Sequence, residues 1–172
     1  MRDLVERLAA AWAIAGGLVL LAIVLVTTAN AGAFALDRLA RVFGATVSGL
    51  PGYEDFVRLA VSAAALMLLP YCQLRRGHVA VDLFAKGLPP RVRRGLDAAI
   101  ATMMATLAAF LAFWMTIGLL ETRADGALSR VLGWPEWPFY LPGIASLLLW
   151  AAVAGLQAFE GQAFEGDDRG RA

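Results

Sequence analysis

The sequence is poor in the residues that metal and redox chemistry requires. Its 172 residues include one cysteine, Cys72, and one histidine, His78. A lone cysteine cannot form an internal disulfide, and Cys72 lies inside an apolar run, which favours a small core residue. A haem held by two histidines, or a metal site with several ligands, needs more donors than these. We therefore predict no metal and no cofactor in this chain.

Catalytic and phosphate-binding motifs are missing as well. No serine, histidine and acid stand together as nucleophilic catalysis requires, and no glycine-rich loop of the Walker type is present. The sequence therefore predicts no enzyme. The formal net charge is only +1. We therefore predict no nucleic-acid partner, because proteins that bind nucleic acids usually carry many Lys and Arg that contact the phosphates.

Charge itself is scarce. Only 17% of the residues are charged and 60% are hydrophobic, whereas a soluble domain carries about a quarter charged residues. The mean hydropathy is +0.66, and the charged residues are clustered rather than spread along the chain. These features indicate a multi-pass membrane protein.

Four apolar runs predict an all-α membrane protein with four transmembrane helices. A helix needs about 20 apolar residues to cross the hydrocarbon. The predicted helices are about 8–29, 53–74, 98–120 and 139–159, within one domain of residues 1–159. Short interfacial helices are expected near Leu36–Phe43 and Val79–Leu88, and residues 160–172 are expected to form a polar, disordered tail. Ala29-Asn30-Ala31 resembles a signal-peptidase site, but the preceding apolar run is longer than a signal peptide requires.

The distribution of Lys and Arg predicts the orientation. With four helices, the N-terminus, the middle loop and the tail share one side and carry ten Lys and Arg, against four in the two other loops. The more basic side faces the cytoplasm, so both termini are predicted to be cytoplasmic. The loop with Trp134 and Trp137 is then outside, and these rings with Tyr140 fit an interfacial aromatic belt.

The helix middles contain no carboxylate. Glu54 is the nearest one, and it lies near the start of the second helix, where it can pair with Arg58 one turn later. An autonomous four-helix, proton-coupled carrier that acts as a dimer stays open as an alternative. It would need a carboxylate embedded in the membrane, and Glu54 is the one candidate.

One basic segment after the second helix resembles a known family signature. Residues 74–84 read Leu-Arg-Arg-Gly-His-Val-Ala-Val-Asp-Leu-Phe. This run is similar to the signature of the small, DctQ-type membrane subunit of tripartite ATP-independent periplasmic (TRAP) transporters. An acid at Glu54, Leu88-Pro89 and the stretch Pro135-Glu136-Trp137 also resemble that family, and the likeness extends over roughly Leu8 to Phe159.

The resemblance implies a small permease subunit in the bacterial inner membrane. It implies a large permease subunit as partner, which holds the substrate and the coupling sodium ions, and a periplasmic binding protein that captures an organic acid or similar small solute. The small subunit is then expected to brace the large one and to support docking of the binding protein.

The residues predicted for an interface with a subunit or with membrane lipid are Glu54, Arg58, Arg75, Arg76, His78 and Asp82. Our hypothesis is that the last four fix a cytoplasmic turn that contacts the large subunit or anionic lipid. The alternative is a solvated basic loop in which Asp82 caps a short helix, because such loops occur without a specific partner.

Overall fold

The computed structural model describes residues 2–75 and 89–169. These residues form four long helices: α1 (Arg2–Val42), α2 (Tyr53–Leu74), α3 (Pro90–Ala124) and α4 (Tyr140–Arg169). A 3-10 turn, Trp137–Phe139, precedes α4. Each helix has a stretch that is long and apolar enough to cross a membrane. The all-α, four-span fold is thus confirmed for the described residues.

Helix α1 is longer than the sequence suggested. We expected it to end near Ala29 and a separate surface helix to follow, but one helix continues to Val42. Residues 30–42 contain no proline, and Asn30, which was interpreted as part of a terminating turn, is buried within the helix. Its side-chain Oδ1 accepts a hydrogen bond from the backbone N–H of Leu50 (2.9 Å), so the asparagine holds the returning loop instead of ending the helix.

The other boundaries follow ordinary helix chemistry. Helix α2 has the bounds that the sequence predicts. Helix α3 begins earlier than expected because Pro90 can occupy a first helical position, where its missing N–H costs nothing. Helix α4 continues to Arg169, although an irregular tail was expected from Glu160, because no proline interrupts this segment. The predicted segment Val79–Leu88 lies outside the described residues.

The helices form an open row rather than a closed bundle. Helices α2 and α4 lie in the centre, α1 packs mainly on α2, and α3 packs mainly on α4. The α3–α4 contact is the most extensive of these and contains the core cluster of Ala108, Ala112, Leu147 and Trp150. Small alanines let the helix axes approach and a tryptophan fills the remaining space. As a result, α1 and α3 are edge helices.

Helix α1 is held to the row by one close backbone approach and one polar contact. A Cβ at Gly16 would lie 2.8 Å from the Met67 Cβ and 3.2 Å from the Ala64 carbonyl oxygen, so only glycine fits there. The indole Nε1 of Trp12 donates to the Ser146 hydroxyl at 2.7 Å. These contacts join α1 to α2 and to α4.

Candidate functional site

The three predicted interface residues that the structure describes fall at two ends of the molecule. Glu54 and Arg58 lie in the first turns of α2, and Arg75 directly follows its last residue. The helix has 22 residues, so about 33 Å separate its ends. Arg76, His78 and Asp82 lie outside the described residues. We call the two ends of the molecule the cap end, where α2 begins, and the Arg75 end.

At the cap end, residues 125–136 form a compact loop, which we call the cap loop. The backbone N–H of Ser129 donates to the Trp134 carbonyl (2.8 Å), and that of Glu136 donates to the Ala127 carbonyl (3.1 Å). Gly133 supplies the positive φ of +65° that the reversal between these bonds requires. The cap loop is therefore a hydrogen-bonded turn.

One buried carboxylate, Asp55, fastens the cap loop to α2. Its Oδ2 accepts hydrogen bonds from the backbone N–H groups of Val131 (2.7 Å) and Leu132 (3.0 Å), and the residue is only 5% exposed. Charge-assisted bonds of this kind are stronger than neutral ones. Because both donors are adjacent in the chain, the carboxylate fixes the position and the orientation of the loop.

Sequence reasoning selected Glu54 and missed Asp55, although a signal for Asp55 was present. Consecutive helical residues point about 100° apart, so only one of this acidic pair can face the helix neighbours. Asp55 shares the helical face of Leu66, which packs against the core, and of Gln73, which is buried. Glu54 is exposed.

A glycine lets the cap loop sit closely on the start of α2. Gly52 precedes the helix with a φ of +77°, and a Cβ at this position would lie 2.5 Å from the Leu132 side chain. Any other residue would suffer both backbone strain and a clash with the loop. Gly52 and Asp55 therefore hold the same residue, Leu132, from two sides.

Arg58 also contacts this region, and the contact corrects a sequence expectation. Its guanidinium forms an ion pair with Glu136 at the end of the cap loop, not with Glu54 one turn away on the same helix. The loop folds over the first turns of α2 and brings the Glu136 carboxylate within reach. The Arg58 side chain is 54% exposed, so we assign this pair a minor energetic role.

Aromatic rings surround the cap end. The rings of Trp134 and Phe139 are stacked, with centroids 6.4 Å apart. The guanidinium of Arg123 lies 5.2 Å from the centroid of the Trp137 ring, a cation–π contact between α3 and the 3-10 turn. Tryptophans such as Trp134 and Trp137, which have an apolar ring system and a polar N–H, are typical of a membrane interface.

Near the Arg75 end, Gln73 is the centre of a buried polar network between α2 and α4. Its Oε1 accepts from the indole Nε1 of Trp150 (3.1 Å), and its Nε2 donates to the Gln157 Oε1 (2.8 Å). The Nε2 of Gln157 donates in turn to the Gln73 backbone carbonyl (3.1 Å). The three side chains therefore fix the rotation of both helices about their axes. No periodicity in the sequence pointed to this network.

Replacing Gln73 by leucine is expected to loosen α2 from α4 by about 1 kcal/mol, because the side-chain bonds of Gln73 to Trp150 and Gln157 are lost. The measurement is the thermal unfolding midpoint of the purified chain in detergent. The control is Gln157→Leu, which leaves the Trp150–Gln73 bond in place and is expected to lower the midpoint less. Equal midpoints for wild type and Gln73→Leu contradict the prediction.

Arg75 borders an open groove of about 650 Å³ between α1, α2 and α4. Its Nε donates to the Tyr71 hydroxyl (3.0 Å), and its guanidinium lies 5.3 Å from that ring's centroid. Asp3, Glu6 and Arg7 of α1 also line the groove. Tyr71 therefore fixes the Arg75 side chain at the border of a groove that both acidic and basic side chains line.

The described residues contain no group of three or more His, Cys, Asp and Glu that could hold a metal ion. What they contain is a set of contacts that fix helices and loops relative to one another: Asp55 at one end, Gln73 near the other, and close glycine contacts between them. This arrangement defines a multi-span helical membrane protein with a braced framework.

The family follows from comparison with known proteins. Residues 38–163 match the family model of the DctQ component of tripartite ATP-independent periplasmic transporters. The chain belongs to this family, and it is therefore a small permease component of a TRAP transporter, from a family of transporter components rather than enzymes. The match covers the last residues of α1 and all of α2 and α3, and it ends within α4.

No curated protein and no solved structure matches the chain.

Proposed function

We propose that this subunit braces the large, substrate-translocating permease subunit in a bacterial inner membrane and supports docking of a periplasmic binding protein. The family match supports the assignment to a tripartite complex. The observation that carries the bracing role is the pair of fixed contacts at both ends of α2, the Asp55 carboxylate on the cap loop and the Gln73 network. A brace has to resist movement of its partner, and such contacts supply stiffness.

The proposed orientation places the cap end in the periplasm and the Arg75 end in the cytoplasm. The excess of Lys and Arg beside the Arg75 end supports this orientation. The ordered cap loop then faces the compartment of the binding protein, and Arg75, with Arg76, His78 and Asp82, faces the cytoplasmic side of the large subunit or anionic lipid headgroups.

Transport chemistry is assigned to the partners in this proposal. The substrate, an organic acid or a similar small solute, and the coupling sodium ion are bound by the large subunit, and this chain needs no cofactor. The autonomous carrier required a membrane-embedded carboxylate. Glu54 is exposed at a helix start and the Oδ2 of Asp55 is held by two backbone amides, so neither residue favours that alternative.

The test is a pull-down from detergent-solubilised native membranes with an affinity tag on the C-terminus. Recovery of a large hydrophobic subunit with the wild-type chain is the expected result. His78→Ala and Asp82→Ala are expected to lower that recovery about fivefold, the effect of losing about 1 kcal/mol at an interface. Glu121→Gln, which removes an exposed carboxylate outside the predicted interface set, serves as control. Recovery of this chain alone, as a dimer, would contradict the proposal and make Glu54 the next residue to replace.

A further inference from the structure

The outward side of α1 carries an apolar seam that has no neighbour among the residues that the structure describes. Positions spaced alternately by three and four residues, from Ala11 to Val42, are all exposed. Leu18 and Leu21 lie in its first half, and Leu39 and Val42 lie at its end, where Val42 is 79% exposed. We name this surface the outer seam. Every edge helix has exposed positions with this spacing. The partner must therefore be inferred from the residues that occupy the outer seam and from the length of the seam.

The outer seam continues beyond the level at which the membrane hydrocarbon ends. Asn30 is bonded to Leu50 and is therefore level with the start of α2. Residues 31–42 extend about 18 Å further, at about 1.5 Å per residue. Helix α2 alone is about 33 Å long, which already matches a hydrocarbon core of about 30 Å. Lipid chains therefore cannot cover Leu39 and Val42, whereas a protein helix can.

The composition of the outer seam differs from that of the other edge helix. At the boundary between the membrane part and the extension, the seam residues are small: Thr28, Gly32 and Ala35. The outward face of α3 is bulky, with Phe110, Phe113 and Trp114 all more than half exposed. Small residues permit a second helix to approach closely, and bulky apolar side chains are suited to contact with lipid chains. Helix α1 is thus the edge that suits a helical partner.

Charge distinguishes a different subunit from a second copy of this chain. Beyond Asn30 the charged residues of α1 are Asp37, Arg38 and Arg41. The Asp37 carboxylate, only 14% exposed, pairs with the Arg41 guanidinium (2.8 Å) and accepts from the Val47 N–H (2.9 Å). The exposed Arg38 therefore leaves this segment with a net positive charge. Two parallel copies would bring two positive segments to the same level, so the charge complements a partner with carboxylates near the same end.

From these observations we infer that the outer seam binds a long helix of the large permease subunit, one that extends beyond the membrane at the cap end and carries carboxylates there. The seam runs without interruption from the membrane part into the extension, and a soluble binding protein could reach only the extension. This inference rests on the proposed function, because it assigns the surface through which the brace contacts its partner.

The first test replaces Gly32 by leucine, with Gly95→Leu on α3 as the matched control. Within residues 2–75 and 89–169, neither glycine has an atom within 4 Å of the position that a Cβ would occupy, so this part of the chain accommodates both changes. Co-purification of the large subunit through the tagged chain is expected to fall about tenfold for Gly32→Leu, because the added side chain separates two closely packed helices. It is expected to stay unchanged for Gly95→Leu. Undiminished recovery with Gly32→Leu overturns the inference.

The second test locates the contact by photo-cross-linking in native membranes. A benzophenone side chain at Leu21 of the outer seam is expected to form an adduct with the large subunit, and the same group at Leu107 of α3 is expected to form none. An adduct from Leu107 alone, no adduct from Leu21, or an adduct of Leu21 with a second copy overturns the inference. If the wild-type chain recovers no large subunit from the same membranes, the proposed function itself fails.

Discussion

Replacing Asp55 by alanine is expected to raise the rate of tryptic cleavage after Arg130 at least about tenfold and to lower substrate uptake by the assembled transporter to a similar extent. Arg130 is exposed, but the N–H of the next residue, Val131, is bonded to the Asp55 carboxylate. Alanine leaves this N–H and that of Leu132 without an acceptor, so the cap loop opens and the scissile bond becomes accessible. The measurements are a proteolysis time course and uptake of labelled substrate.

Glu54→Gln is the matched control for Asp55→Ala, because it removes the adjacent, exposed carboxylate from the same helix turn. We expect this variant to be cleaved at the wild-type rate. Asp55→Asn should lie between the two, since an amide oxygen can still accept but carries no charge. Wild-type cleavage of the alanine variant would show that Asp55 does not hold the loop.

Replacing Gly16 by leucine is expected to detach α1 from the rest of the row. The new side chain would overlap the Met67 Cβ and the Ala64 carbonyl, both on the backbone side of α2, where neither can move aside cheaply. Overpacking at such a contact costs about 1–3 kcal/mol, which corresponds to a thermal midpoint lower by about 2–12 °C for a chain of this length. The midpoint is measured on the purified chain in detergent.

The neighbouring glycine provides the control, because a Cβ at Gly17 meets no atom of the described residues within 4 Å. Both substitutions add the same side chain and raise helix propensity equally, so only the local contact differs. Gly17→Leu is expected to keep the wild-type midpoint. If the two variants unfold at the same temperature, the approach of α1 to α2 is not as close as the structure has it.

The sequence was sufficient for the four spans because long uncharged runs depend only on composition. It was insufficient for the end of α1. Thr27 to Gly32 contains residues that commonly end helices, and local propensity favoured a stop there. The structure overrides that preference because the Asn30 side chain bonds the distant Leu50 N–H, a contact that no local pattern encodes.

The polar contacts were less predictable for the same reason. The i,i+4 spacing correctly made Glu54 and Arg58 neighbours, but Arg58 pairs with Glu136, which lies 78 residues away in the chain. Gln73 and Gln157 lie 84 residues apart. Which side chains meet across the helices depends on the order of the helices in the row. An apolar sequence contains few residues from which that order can be predicted.

The position of α4 in the row has a consequence for biosynthesis. The ribosome releases α4 after α1, α2 and α3, yet it lies in the centre between α2 and α3. The hairpin of α1 and α2 can form as soon as both helices enter the membrane, whereas α3 finds its extensive contacts only when α4 follows. A nascent chain that stops before Tyr140 therefore leaves α3 without its neighbour, and only a chain that includes α4 can join the two halves.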